Sequence, residues 1–133
     1  MKKIFAQVRV KDFETHIMGM LQRLMGGEAI CKMAAIQLFP TVYPAFTLNN
    51  QQEIMQMYNE AAGDEVPQIR KQSAIVLNEM IKLIPKINEV ELLQIFSKFY
   101  KDEQDSVRMQ GIDSCVCFAQ QLAQNKVQSY LLP

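Results

Sequence analysis

The sequence predicts an all-α chain folded as a right-handed superhelix of stacked helix pairs, and three observations carry that prediction. The turn Asp64-Glu65-Val66-Pro67-Gln68-Ile69-Arg70 returns in the same frame as Asp102-Glu103-Gln104-Asp105-Ser106-Val107-Arg108. Self-similarity at a period of about 38 residues marks a stacked helical repeat. Apolar positions on both sides of the two turns match at the same offset and are spaced three and four apart, which puts one apolar stripe on each helix. No alternating stretch bounded by hairpin turns interrupts the pattern.

The units follow in order, at about 13–44, 49–86 and 88–124, with a partial unit at 126–133. In the first unit the stripe Phe13, Ile17, Leu21 and Leu24 predicts one helix. Gly26-Gly27-Glu28 makes a turn about one residue shorter than the others. Lys32, Ala35, Ile36 and Phe39 then match Arg70, Ser73, Ala74 and Leu77, and Pro44 ends the second helix. In the second unit Asn50 and Glu53 have capping-box spacing. Ile54, Met55, Met57, Tyr58 and Ala61 line its first helix. Pro67 suits the opening turn of the next helix, where a missing N–H costs nothing. Ala74, Leu77, Met80 and Ile84 form that helix's stripe, and Pro85 stops it. In the third unit Asn88 and Glu91 repeat the capping-box spacing. Leu92, Leu93, Ile95, Phe96 and Phe99 precede the turn, and Ile112, Cys115, Phe118 and Leu122 follow it. Lys126 opens a fourth unit. The end at Leu131-Leu132-Pro133 is not the polar cap a terminal repeat needs, so a piece of a longer array is expected.

Composition limits the function classes. The 133 residues include 14 basic and 14 acidic side chains, with a pI near 6.6. That balance gives no electrostatic footprint for nucleic acid. No apolar run approaches the ~20 residues that span a membrane. Met1-Lys2-Lys3-Ile4-Phe5-Ala6 resembles the start of a signal peptide, but Gln7, Arg9, Lys11 and Asp12 break the apolar region. Three cysteines, an odd number, fit a reducing compartment. The expectation is a cytoplasmic chain, with the nucleus as a second compartment. Cys31 and Cys115 read as small buried hydrophobes. Cys115 and Cys117 point about 200° apart on a helix and are poorly placed to share a metal.

The residues that could carry chemistry favour a structural reading. His16, the one histidine, reads as a surface residue facing away from the first stripe. A catalytic histidine would need a nucleophile or carboxylate held against it. The carboxylates cluster at helix starts, where the macrodipole favours them. Gly26-Gly27 is too short for a phosphate loop. Of the nine methionines, Met20, Met57 and Met80 fall on core stripes, while Met33 and Met109 have no clear place. No catalytic residue, metal site or cofactor is expected. Arg70 and Arg108 each lie six residues after an aspartate, Asp64 or Asp102. The repeated pairs predict a ladder in which each arginine bonds turn acids of its own or the next unit, a task suited to a planar fork. Lys32 and Gly27 stand at the matching places of the first unit, so the ladder is expected to be weaker there.

Paired helices at this period, joined by turns reading aspartate, five residues ending in Ile or Val, then arginine, resemble HEAT repeats. The run Asp102 to Arg108, with Cys115-Val116 and Ala119-Gln120-Gln121-Leu122, is very similar to the scaffold (A-type) subunits of protein phosphatase 2A. So is Pro67-Gln68-Ile69-Arg70-Lys71 after Asp64-Glu65. Thr41-Val42-Tyr43-Pro44 and Gly26-Gly27-Glu28 resemble the same family in matching order, so the likeness covers about residues 13 to 132. The resemblance implies a horseshoe whose turns hold a regulatory subunit near the N-terminal half and a catalytic subunit near the C-terminal end. It places this chain among about the third to fifth repeats, which implies contact with a regulatory subunit. The repeats that would hold the catalytic subunit are absent. The sequence departs from the family where Ala29-Ile30, rather than an aromatic residue, follows Gly-Gly-acid.

The expected function is therefore a non-catalytic scaffold segment that presents its turns to a protein partner. The expected contact residues are Glu28, Glu65, Pro67, Lys71, Glu103, Gln104 and Asp105, with Asp64, Arg70, Asp102 and Arg108 as the structural ladder. The alternative is a HEAT or armadillo adaptor of another complex, such as a transport receptor. Such adaptors show an acidic inner surface or an asparagine ladder, and neither is visible in the sequence. A helical-bundle hydrolase would need a nucleophile, base or metal set that the sequence does not supply.

Overall fold

A computed structural model describes residues 2–84 and 86–131, with side chains at 12–84 and 86–124. The described residues form six α-helices and no strand: α1 (Lys2–Met25), α2 (Ala29–Val42), α3 (Leu48–Ala62), α4 (Pro67–Ile81), α5 (Glu89–Tyr100) and α6 (Asp105–Leu131). Turns at 26–28, 63–66 and 101–104 join α1 to α2, α3 to α4 and α5 to α6. The result is an all-α, HEAT-like solenoid. Its second helices α2, α4 and α6 pack closely side by side, and its first helices α3 and α5 pack much more loosely.

Apolar burial drives the stacking. Tyr58, Phe39, Phe99, Leu21, Ile54, Leu77, Met80 and Leu92 are among the largest fully buried side chains. Each such side chain contributes roughly 1.5–3 kcal/mol on leaving water. Phe39 and Tyr58 meet edge to face, with centroids 6.3 Å apart. The Tyr58 hydroxyl donates to the Ser73 carbonyl at 2.7 Å, so the buried polar tip is satisfied. Small residues stand at one position of each second helix: Ala35, Ser73 and Gly111, all buried. At Gly111 the approach is closest. A Cβ there would lie 3.1 Å from the Phe99 Cβ and 3.2 Å from the Tyr100 amide nitrogen.

Several expected details differ. Phe13 is 66% exposed, whereas Glu14, Met18 and Leu21 are buried. Helix α1 is rolled by about one residue because the Glu14 carboxylate accepts the Thr47 N–H at the start of α3. Thr47 is therefore the N-cap residue of α3, and Asn50 lies inside the first turn. The Glu53 carboxylate, expected in a capping box, instead accepts from Gln22 of α1 at 3.0 Å. Asn88 does cap α5, accepting from Val90 N–H at 2.9 Å. Pro67 stands at the start of α4. Pro44 lies in a short 3-10 turn, Tyr43–Ala45, that follows α2 at once, and α2 itself runs through Pro40. Pro85 lies outside the described residues.

The cysteines and α6 also depart from expectation. Cys31 is half-buried, but Cys115 is exposed. Cys117 packs against the core instead. Ile112 is 52% exposed and Phe118 only 4%. At the positions of α4 that match Ile112 and Cys115, Ala74 and Leu77 are fully buried, and α4 has a second helix packed on each side. Among the described residues α6 packs mainly against α4 and α5, and Ile112, Cys115 and Val116 on its far side are exposed. The backbone of α1 is helical from Lys2, ahead of the first expected unit, and α6 continues unbroken past residues 124–126. Residues 132 and 133 lie outside the described part. His16 is exposed, as its place on the first helix predicts.

Candidate protein-binding edge

The three intra-pair turns fall in one row because equivalent points of stacked repeats align. The aspartate that opens each of the later two turns folds its own turn. Asp64 Oδ1 accepts Val66 N–H at 2.9 Å, and Asp102 Oδ1 accepts Gln104 N–H at 2.9 Å. Short polar side chains stabilise turns in this way by mimicking a backbone acceptor. The other oxygen of each carboxylate reaches to the preceding unit.

Lys32 Nζ bonds Asp64 Oδ2 at 3.2 Å. Arg70 Nε bonds Asp102 Oδ2 at 2.7 Å, and Arg70 Nη2 bonds Asp102 Oδ1 at 3.2 Å. The side-chain cross-link thus always runs from the cation of one unit to the aspartate of the next. Within its own unit Arg70 ties down carbonyls, donating from Nη1 to Asp64 at 2.8 Å and to Glu65 at 3.2 Å. Arg108 does the same at the Asp102 carbonyl, 2.8 Å away, and contacts the Asp105 carboxylate. Among the described residues Arg108 has no carboxylate of a further unit to bridge.

The two cross-links differ in strength. The Arg70 and Asp102 side chains are 11% and 7% exposed, against 27% and 16% for Lys32 and Asp64. Arg70 offers the bidentate fork, and Lys32 offers one point charge. Burial pushes the Asp102 carboxyl up, but the Arg70 hydrogen bond, the Gln104 N–H and the nearby Arg70 and Arg108 charges outweigh it. The carboxyl is left below its ordinary value. The Arg70 guanidinium is held up by the same Asp102 hydrogen bond, against a burial cost. Both groups are charged in the folded state at neutral pH.

The expected contact residues are all on the surface. Glu28, Glu65, Pro67, Lys71, Glu103, Gln104 and Asp105 are each exposed. Of the acids of the row, Asp64 and Asp102 are engaged inside, Glu28, Glu65 and Glu103 face water, and Asp105 is exposed but contacts Arg108. Between the second and third turns lies an open, shallow groove of about 580 Å³. Asp64, Glu65, Arg70, Asp102 and Glu103 line it, together with Gly63 and Lys101. Gly63 and Lys101 are not among the expected contact residues. Each stands one residue before a ladder aspartate, so their repeat position was the available signal. The edge has charge of both signs and no nucleophile set against a base. Among the described residues no group of His, Cys, Asp and Glu could hold a metal ion.

A Caenorhabditis elegans protein named "Probable serine/threonine-protein phosphatase PP2A regulatory subunit" is 30% identical over 120 residues, covering 89% of this chain and 20% of that protein. By sequence, this chain is similar to proteins named as PP2A regulatory subunits. The Drosophila melanogaster "Serine/threonine-protein phosphatase PP2A 65 kDa regulatory subunit" is also 30% identical, over 85 residues, covering 63% of this chain and 14% of that protein. The chain spans about a fifth or less of the length of these PP2A relatives. No protein-family model matches it. Among the described residues no helix is long and apolar enough to cross a membrane.

Proposed function

We propose that this chain is a non-catalytic scaffold segment of a protein phosphatase 2A assembly, and that its turn row holds a phosphatase regulatory subunit. The observation that supports this most directly is the division of labour along the row. Asp64, Arg70 and Asp102 are spent on fixing the turns, which leaves Glu65, Pro67, Lys71, Glu103 and Gln104 outward on a rigid base. A partner lying along the edge meets these residues in a fixed order and loses little entropy in ordering them. The segment belongs in the N-terminal half of the parent array. The catalytic subunit is engaged by repeats that this chain does not include. Phosphate release from a phosphopeptide should stay at background with the purified chain alone.

Pull-down of a purified phosphatase regulatory subunit by the tagged chain tests the reading. Glu103→Lys combined with Lys71→Glu reverses two exposed charges without touching the ladder. Capture should fall at least tenfold, a loss of ~1.4 kcal/mol or more, while the melting curve stays in place. Undiminished capture by a folded double variant removes the turn row from the interface.

A further inference from the structure

A second recess lies on the layer of first helices. Here α3 and α5 run side by side, and Lys98 of α5 donates to Asn59 Oδ1 of α3 at 2.7 Å. Their looser packing leaves a groove of about 360 Å³. Its floor is apolar: Met55 is 8% exposed, Ile95 2% and Tyr43 5%. Its walls are amides. Gln52, Gln56 and Asn59, spaced four and three apart, share one face of α3. Gln94 stands opposite, one full repeat on from Gln56 and so at the same place in the next unit.

We propose that this groove binds an extended peptide segment of a partner protein, gripped by its main chain and carrying an apolar side chain with a basic one beside it. A carboxamide offers two donors and an acceptor, the same complement that a peptide unit presents. A row of amides on α3 with Gln94 opposite therefore suits a backbone whatever its side chains, whereas rows of carboxylates or ammonium groups select charge. Lys98 occupies the Asn59 oxygen, which leaves that amide's N–H groups for a peptide carbonyl. From Gln52 to Asn59 the wall is ~10 Å long at 1.5 Å rise per residue. That length matches about three residues of extended chain. An apolar side chain pointing inward reaches Met55 and Ile95. Glu91 is the one charged lining residue and sits at the Gln52 end of the groove, so it favours Lys or Arg there.

The test uses the 133-residue chain and an end-capped, fluorescein-labelled octapeptide pool with Arg and Leu two positions apart among Gly and Ser. Fluorescence anisotropy should show saturable binding. Gln56→Ala with Gln94→Ala, both exposed helix positions where alanine is well tolerated, should weaken binding at least tenfold at an unchanged melting temperature. N-methylation of the central peptide bonds should weaken it as much. Glu91→Gln should weaken binding of the Arg pool but not of a pool with norleucine in place of Arg. Absence of saturable binding, or binding indifferent to N-methylation and to the double variant, overturns the proposal. So does a homodimer in sedimentation that the double variant dissolves, because the groove's occupant would then be a second copy of this chain.

Discussion

Among single residues, Arg70 contributes most to the turn row. It satisfies one carboxylate and two carbonyls from a position 9% exposed. Removing one partner of such a pair leaves the other buried and unpaired. Arg70→Ala should therefore cost on the order of 2–4 kcal/mol in a denaturant titration. Lys32→Ala should cost under about 1 kcal/mol, since its pair is more exposed and singly bonded. Equal losses would mean that the fork geometry is irrelevant. Asp102 adds a pH signature. Its folded-state pKa is below the unfolded value, so the folded chain binds fewer protons in acid. The stabilisation is complete above about pH 4, the ordinary aspartate range, and is lost as pH falls through the lowered value. Asp102→Asn should remove that part of the acid slope, read from denaturation midpoints taken between about pH 5 and pH 2.

For the helices, sequence periodicity showed where each one lies and missed how some are rolled. The turns were legible because an aspartate and an arginine six apart recur in a fixed frame. The direction of the cross-link was not, since Arg70 is as near in sequence to Asp64 as its cross-unit partner is near in space. Phe13 and Cys115 misled for a common reason. Each fits the 3.6-residue stripe of its helix, yet burial depends on what packs against that stripe. Glu14 is drawn inward by a backbone N–H on another helix, and the Ile112–Cys115 face of α6 has no covering helix among the described residues. Asn50 has the spacing of a cap but lost that place to Thr47, whose N–H is taken by Glu14. The crossing of α5 and α6 at Gly111 gives an element-scale prediction. Gly111→Val sets a branched side chain against the Tyr100 backbone. It should lower stability by about 1–3 kcal/mol by thermal melting, since overpacking at a tight contact outweighs any gain from leaving glycine.

Over the whole molecule, stability is a sum of units and the interfaces between neighbours. Helix α4 is the only second helix with another second helix packed on each side among the described residues. Hydrogen exchange should therefore be slowest in α4, slower than in α2 or α6, because opening it breaks two interfaces at once. Uniform protection across the three would indicate a single all-or-none unit. The helical repeat was legible in the sequence because the turn motif recurs in a fixed frame. The α3–α5 groove was not, because its two walls are a whole repeat apart in the chain and face each other only once the units are stacked.

The Arg70–Asp102 and Lys32–Asp64 cross-links have a mechanical consequence. They tie successive turns along one margin, and the second helices beside them are tightly packed. In the opposite layer, where α3 and α5 pack much more loosely, the inter-unit bonds Gln22–Glu53 and Lys98–Asn59 join exposed side chains. A rod built this way flexes like a hinged spine. Its neutral line runs near the braced margin, and strain collects where the helices are already spread. Thermal bending therefore leaves the spacing of the turns almost constant while the gap across α3 and α5 breathes. The molecule can flex to fit a larger assembly without blurring the ruler along its braced margin.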